Sequence, residues 1–276
     1  MSELLFHPRT AKQIDKLRHE PPQSLLISGP VGVGLKTAAQ YVANGQLIGV
    51  IKPTNSKDEV DEMTGTISVD VIRELHTQTR SKRTERGFII IDNAERMNSS
   101  AQSAFLKLLE EPQPQIHFIL TSHQPQLLKS TILSRVQTLA IAPLTPEQSV
   151  AYLDTFGVDD LKKRAQLSFI APGLPAEAAR LMGDADYFEK KAGYLSDART
   201  FLQATMYERL LVVNKYASDR PAALALIDGA IAIIRHTVSS QPSHAHITQL
   251  ERLLDTRQAV SANGSIKLHL TNSVVQ

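Results

Sequence analysis

The fold of this chain is decided by the stretch Gly87-Phe88-Ile89-Ile90-Ile91-Asp92-Asn93-Ala94-Glu95-Arg96-Met97. Its three consecutive isoleucines are β-branched and apolar, and so short an apolar run is typical of a strand buried on both faces in a parallel sheet. Asp92 stands at the carboxyl end of that strand, which is the edge where open α/β sheets bind ligands. In P-loop ATPases an aspartate at this place helps to hold the magnesium ion. The stretch therefore predicts an α/β nucleotide-binding core.

A glycine-rich loop follows a second apolar strand further upstream, in Leu25-Leu26-Ile27-Ser28-Gly29-Pro30-Val31-Gly32-Val33-Gly34. A working P-loop reads G-x-x-x-x-G-K-[ST], and its lysine reaches the phosphates while its hydroxyl binds magnesium. Gly29 and Gly34 have the required spacing, with Gly32 between them. Leu35 then takes the lysine position and Lys36 the hydroxyl position, so the motif is degenerate.

Two interpretations of this loop stay open. An inserted residue would make Lys36-Thr37 the working pair. Without an insertion, the shift of one residue turns Lys36 about 100° around the helix, away from the phosphates. The glycines would then only form the turn from strand to helix.

The residue after Asp92 is Asn93, which can hydrogen-bond a water molecule but cannot accept its proton as a carboxylate does. Glu95 either substitutes for that carboxylate or begins a solvated turn. We therefore expect no firmly bound cofactor, doubtful binding of ATP and magnesium, and no intrinsic ATPase.

Strands alternate with helices up to Pro143, which predicts one α/β domain with a parallel sheet over residues 1–143. The expected strands are residues 24–28, 87–92, 117–121 and 136–141, with one possible short strand at 47–51 in a loop-like stretch. Helical patterns are expected over residues 35–44, 68–80 and from Asn98 to Glu111. A basic loop, residues 80–86, precedes the isoleucine strand. After Pro143 only helical patterns remain: short ones over 145–156, 159–170 and 174–182, and longer ones over 187–275, broken near 218–221, 239–243 and 263–264.

The composition sets limits on the function. The chain has 276 residues, 42% hydrophobic and 21% charged, with a net charge of +2. So balanced a charge argues against a protein that coats nucleic acid alone, but it allows contact within a larger assembly. The absence of cysteine excludes disulfides, thiol catalysis and cysteine zinc sites. We find no signal peptide and no apolar run of about 18 residues, so we expect no membrane contact and a cytoplasmic location.

Taken together, the motifs resemble those of AAA+ clamp-loader subunits of bacterial DNA polymerase III, most closely of the delta prime type. The matching segments are the loop of residues 29–34 and residues 67–75, 90–97, 101–112, 118–122, 132–135 and 263–268. The most specific is Ala101-Gln102-Ser103-Ala104-Phe105-Leu106-Lys107-Leu108-Leu109-Glu110-Glu111-Pro112, which fits the family pattern A-x-x-A-[LF]-L-K-x-L-E-E-P.

The resemblance implies a P-loop (AAA+) base domain of residues 1–143, a small helical lid of residues 144–186 and an all-α collar of residues 187–276. Through the collar such subunits form a hetero-pentamer that places a sliding clamp on primer-template DNA, with the clamp contacted indirectly. Ser134-Arg135 resembles the start of the Ser-Arg-Cys motif, whose arginine enters the ATP site of the neighbouring subunit. An exposed arginine can also simply pair with a surface carboxylate. Ser122 falls at the family's sensor-one position, although a lone hydroxyl often only caps a turn.

Departures from the family pattern matter as well. Val136 replaces the motif cysteine, and a chain without cysteine cannot build the zinc module of many bacterial members. Residues 173–177 lack the second-sensor arginine, since Arg180 comes a turn later. For DNA contact we expect the helix start at Ser99 and Ser100, where free backbone N–H groups suit a phosphate, unless they only cap the helix.

These features favour a non-hydrolysing clamp-loader subunit that supplies Arg135 to a neighbour. The alternatives are an active AAA+ motor subunit of the gamma/tau type with a shifted P-loop, and a P-loop-like scaffold outside replication.

Overall fold

The computed structural model describes residues 5–62, 64–79, 84–158 and 160–275. The chain divides into two compact units, one formed by Met1–Arg164 with Ala171–Ala179 and the other by Ala165–Ile170 with Arg180–Gln276. The three-domain division with boundaries after residues 143 and 186 stays a prediction.

The first unit contains a five-stranded sheet whose described strand pairs are all parallel, in the order β2-β3-β4-β1-β5. The strands are β1 (Ser24–Ser28), β2 (Leu47–Ile51), β3 (Gly87–Ile91), β4 (Ile116–Ser122) and β5 (Gln137–Ala140). All four strands expected from the sequence are present, and the possible strand at residues 47–51 is the edge strand β2. The expectation of an α/β P-loop fold with a parallel sheet is confirmed.

The isoleucine run forms the interior strand β3, between β2 and β4, and is buried on both faces. Ile89 and Ile91 pack in one core with helices on their side of the sheet, whereas Phe88 and Ile90 belong to a second core on the opposite side. Each of the four is at most 4% exposed. This two-sided burial is the physical reason why the strand is a continuous apolar run instead of an alternating one.

Helices cover this sheet and continue after it. Those that begin before Arg164 are α1 (Pro8–His19), α2 (Leu35–Ala43), α3 (Val69–Gln78), α4 (Ser99–Glu110), α5 (Ser130–Leu133), α6 (Pro146–Asp154) and α7 (Leu161–Ile170), and α8 (Pro175–Gly183) follows. Two short 3₁₀ helices, Ala94–Arg96 and Pro125–Leu127, follow β3 and β4. Asn98 caps α4 by accepting a hydrogen bond from the backbone N–H of Ala101 at 2.8 Å, as the polar residue before the helix leads one to expect.

The second unit is helical. It comprises α9 (Ala185–Gln203), α10 (Met206–Tyr216), α11 (Arg220–Ser240), α12 (His244–Ser261) and α13 (Ile266–Val275). The sequence did not indicate the break between α9 and α10, which has no proline or glycine. There Thr205 and Glu208 form a reciprocal capping box that starts α10, and this local hydrogen bonding ends the preceding helix.

One described helix, α11, is long and apolar enough by length and composition to cross a membrane. Its residues Leu226, Ile227 and Ala230 are fully buried in the core of the second unit. The helix is therefore apolar because it forms the centre of a helical bundle.

Candidate functional site

The glycine loop between β1 and α2 has the backbone of a tight turn. Gly32 and Gly34 have φ angles of +85° and +94°, which residues with a side chain rarely adopt. Gly29 is required for a different reason, since a Cβ there would lie 2.8 Å from the carbonyl oxygen of Ile141. The glycines expected from the sequence are thus each placed by a steric need of the fold.

The lysine position of the P-loop is part of the hydrophobic core. Leu35 is 3% exposed and packs in the cluster that lies between the sheet and helices α1 and α2. Thr37, the hydroxyl of the alternative pair, is exposed on the first turn of α2. Leu35 therefore supplies no cation at the motif position.

Lys36 feels the charges of three neighbouring side chains. The close amino group of Lys52 and partial burial lower the pKa of Lys36, while the charges of Asp92 and Glu62 act in the opposite direction. Lys52 in turn forms an ion pair of 3.3 Å with Glu62. Both interpretations of the loop, with Lys36 directed towards the phosphate position or away from it, stay predictions.

The Asp92 carboxylate is held in a buried network at the carboxyl edge of the sheet. Asp92 is 5% exposed, and its Oδ1 accepts a hydrogen bond from the Thr121 hydroxyl at 2.7 Å. The same hydroxyl oxygen accepts a hydrogen bond from the backbone N–H of Asn93 at 3.0 Å. Ile91 pairs with Leu120 in the parallel register, so the residues that follow them, Asp92 and Thr121, come together at the ends of β3 and β4.

Glu95 does not begin a solvated turn, contrary to one of the two expectations. Its Oε1 accepts a hydrogen bond from the backbone N–H of His123 at 3.0 Å, and its Oε2 is buried without a hydrogen-bond partner among the described residues. Nδ1 of His123 lies 2.8 Å from the carbonyl oxygen of Gly29. Because a carbonyl oxygen only accepts, Nδ1 must be the protonated ring nitrogen. This histidine thus connects the loop after β4 to the start of the glycine loop.

Ser122, the expected sensor-one residue, is completely buried. Its hydroxyl accepts a hydrogen bond from the backbone N–H of Gln124 at 3.2 Å, and its carbonyl accepts one from Gly29 at 3.3 Å. Its hydroxyl therefore caps a turn in this structure, which was the alternative to a nucleotide contact.

The start of helix α8 is attached directly to the glycine loop. The carbonyl oxygen of Gly32 accepts hydrogen bonds from the backbone N–H groups of Ala176 at 2.9 Å and Glu177 at 3.1 Å. These N–H groups belong to the first turn of a helix, which needs acceptors from outside the helix. The contact closes one side of the loop with protein atoms.

Arg135 is exposed and lies just after α5, with Ser134 beside it. Its Nη2 forms an ion pair of 3.1 Å with Oε1 of Glu110, and its Nη1 donates to the carbonyl oxygen of Thr131 at 3.0 Å. The Ser134 hydroxyl donates to the same carbonyl at 3.1 Å. The alternative of a surface ion pair is thus present in this structure, and the side chain remains 38% exposed.

Ser99 and Ser100 are exposed in the first turn of α4. The ammonium group of Lys129 lies at the same turn, donating to the carbonyl oxygen of Ser99 at 3.0 Å and to the Ser103 hydroxyl at 2.7 Å. Among the basic side chains of the loop at residues 80–86, Arg86 falls within the described residues and is exposed. Arg80, Lys82 and Arg83 lie outside them.

Sequence reasoning missed three residues of the site: Thr121, His123 and Lys52. Thr121 could have been found from the expected parallel register, since it follows the buried part of β4 as Asp92 follows β3. His123 and Lys52 gave no sequence signal, because only the fold brings them to their partners, the Gly29 carbonyl and Glu62. The described residues contain no group of three or more histidine, cysteine or acidic side chains arranged to hold a metal ion.

Comparisons with known proteins agree with these motifs. A family model described as DNA polymerase III, delta subunit matches residues 46–145. DNA polymerase III subunit delta' of Pseudomonas aeruginosa is 29% identical over 189 residues, covering 60% of this chain and 57% of that protein. The replication factor C small subunit of Staphylothermus marinus is 30% identical over 151 residues, covering 51% of this chain and 43% of that protein.

The fold has a counterpart among solved structures. A DNA polymerase III, gamma subunit-related protein of Thermotoga maritima has a TM-score of 0.59 at 21% identity, covering 95% of this chain and 97% of that chain. The matches to delta prime proteins span between 18% and 57% of the length of those relatives. In sequence and in fold, this chain resembles the AAA+ clamp-loader subunits of DNA polymerase III, as its motifs predicted.

Proposed function

We propose that this chain is a non-hydrolysing clamp-loader subunit of the delta prime type. It would work in the cytoplasm within the hetero-pentameric DNA polymerase III clamp loader, which places the sliding clamp on primed DNA. The observation that carries the proposal is the burial of Leu35, at 3% exposure, in the position that a P-loop gives to its phosphate-binding lysine. The family resemblance and the delta prime matches support it.

The residues of the site fit a magnesium–nucleotide complex poorly. Leu35 lies in the core, and the hydroxyl position carries Lys36, whose positive charge interacts with the aspartate that would help to hold magnesium. Helix α8 also covers the carbonyl side of Gly32. A protein cation beside Asp92 disfavours a metal ion there, because like charges repel most strongly away from bulk water. In this proposal the chain's own site therefore takes no part in the reaction.

Arg135 is the residue that we propose acts on nucleotide, in the site of a neighbouring subunit. A guanidinium supplied in trans, called an arginine finger, stabilises the charge that develops on the γ-phosphoryl group. Measured arginine fingers accelerate the reaction by about 10³–10⁵-fold. The proposal needs Arg135 at the surface, and its position in the short connection between α5 and β5 meets this condition.

We propose that the second unit supplies the contacts with other loader subunits. Helix α10 exposes the large apolar side chains of Met206, Tyr207 and Leu211, at 48%, 72% and 52%. An exposed group of apolar side chains on one helix suits a protein–protein contact better than solvent. Primer-template DNA would be contacted within the complex, at the first turn of α4, where Ser99 and Ser100 are exposed and the Lys129 ammonium group lies.

Two measurements on the purified chain test this function. Co-purification with the other loader subunits should give a stable hetero-oligomer, and its absence would favour a scaffold outside replication. Calorimetric titration with ATP and magnesium should give no saturable heat at micromolar concentrations. Saturable binding without hydrolysis would refute the expectation that this site binds no nucleotide, but would leave the assembly role intact.

The second candidate is an ATP-binding motor subunit of the gamma/tau type. The position of Lys36 in the first turn of α2, directly after the glycine loop, favours it, because a long flexible lysine side chain that starts there could reach a phosphate. For this candidate we expect micromolar binding of ATP and magnesium that Lys36→Ala abolishes and Lys57→Ala leaves unchanged. Lys57 is an exposed lysine outside the loop and serves as the matched control.

A further inference from the structure

The last residue of helix α4, which carries the most specific family motif, forms an ion pair with Arg135. Glu110 ends helix α4, and its Oε1 lies 3.1 Å from Nη2 of Arg135, which is far away in sequence between α5 and β5. We propose that Glu110 is a positioning residue for Arg135, holding its guanidinium in the orientation that a phosphate in a neighbouring subunit would meet. This inference rests on the proposed trans role of Arg135.

Both terminal nitrogens of the Arg135 guanidinium have an acceptor. Nη2 is held by Glu110, and Nη1 is held by the carbonyl oxygen of Thr131 at 3.0 Å. An arginine side chain loses much rotamer entropy when it is ordered, but its planar fork keeps the remaining donors in a fixed geometry. Two anchors on two different elements therefore define the plane of the group before any phosphate arrives.

The anchored guanidinium keeps donors for a further acceptor. Arginine has five N–H donors, and among the described residues its Nε has no acceptor. The side chain is 38% exposed, so these donors are accessible from solvent. Nη1 also donates to the Ser134 hydroxyl at 3.4 Å, so both anchors can persist while Nε and the second Nη2 hydrogen bind an anion.

Stability alone is a weak reason for this pair. Glu110 is 51% exposed, and ion pairs between two exposed side chains contribute little to folding. Preorganisation offers a better reason, since a group that must stabilise a transition state acts best when it is already in place. The structure thus links the helix that carries the family fingerprint to the arginine of the Ser-Arg motif.

The test uses the reconstituted clamp loader with its sliding clamp and primed DNA. We expect Glu110→Ala to lower kcat of the DNA-dependent ATPase by about two- to fivefold, as the loss of an exposed ion pair would, with an unchanged KM for ATP. Glu110→Gln keeps an oxygen that accepts from Nη2 and should restore most of kcat. The matched control is Glu111→Ala, the adjacent exposed carboxylate, which should leave kcat unchanged.

The outcomes separate this inference from the function on which it rests. Arg135→Ala without any loss of ATPase or clamp loading would refute the trans role itself. A loss with Arg135→Ala but none with Glu110→Ala would refute only the positioning role. An increase of kcat with Glu110→Ala would also refute it, because Glu110 would then restrain the arginine. In the Arg135→Ala background, Glu110→Ala should cause no further loss.

Discussion

The contact between Gly32 and the start of α8 gives a sharp test of how the glycine loop is closed. Gly32 has a φ of +85°, and a Cβ at this position would lie 2.8 Å from the Cβ of Glu177. Gly32→Ala should therefore lower the free energy of unfolding for two separate reasons. The left-handed backbone costs about 1–2 kcal/mol for a residue with a side chain, and the steric overlap adds about 1–3 kcal/mol.

A second glycine separates the two contributions. Gly45 has a φ of +79°, but a Cβ there would meet no atom within 4 Å. Gly45→Ala should cost only the backbone strain, about 1–2 kcal/mol. Urea denaturation of the two variants should then differ by about 1–3 kcal/mol, which is the overlap with Glu177.

Hydrogen exchange locates the effect. The backbone N–H groups of Ala176 and Glu177 both donate to the Gly32 carbonyl, so they should exchange faster in Gly32→Ala than in Gly45→Ala. Equal unfolding free energies of the two variants, together with equal exchange rates at residues 176 and 177, would refute the contact between Gly32 and the start of α8.

Three further predictions concern single contacts. Leu35→Ala should lower the free energy of unfolding by about 2–5 kcal/mol because it empties a buried site, whereas Thr37→Ala on the same turn should change it little, measured by urea denaturation. Thr121→Val should cost about 1–3 kcal/mol because it leaves the buried Asp92 carboxylate without its donor, while Thr138→Val on the exposed face of β5 should not. Burial and the hydrogen bond to Asp197 raise the pKa of Tyr216 in the folded chain. The free energy of unfolding should therefore be independent of this group up to the ordinary tyrosine pKa of about 10, and should decrease above it by up to about 1.4 kcal/mol per pH unit. In Tyr216→Phe, measured between neutral and alkaline pH, this decrease should be absent.

The sheet could be predicted well because its strands are buried on both faces. The run Phe88-Ile89-Ile90-Ile91 carries its own signal, since only a two-sided core accepts four large apolar side chains in a row. The edge strand β2 was only a possibility, because its exposed Ile48 and Val50 alternate with partly buried neighbours and a glycine interrupts it.

The candidate site was less predictable because it depends on contacts between distant residues. The motifs identified Asp92, the glycines and Arg135 but did not show which residues they contact. The parallel register and the helix ends bring them to Thr121, His123 and Glu110. The direction of Lys36 stays a prediction, because a rotation of 100° on an ideal helix says where a Cβ points and not where the end of a long flexible side chain lies.

The central claim is that this chain contributes Arg135 to an ATP site that is not its own. The most direct measurement compares clamp loading and DNA-dependent ATPase of the reconstituted loader that contains either the unchanged chain or Arg135→Ala. We predict at least a tenfold loss of clamp loading with an intact assembly, since arginine fingers are worth about 10³–10⁵ at the site they serve. Undiminished ATPase and clamp loading by an intact Arg135→Ala loader would contradict the account.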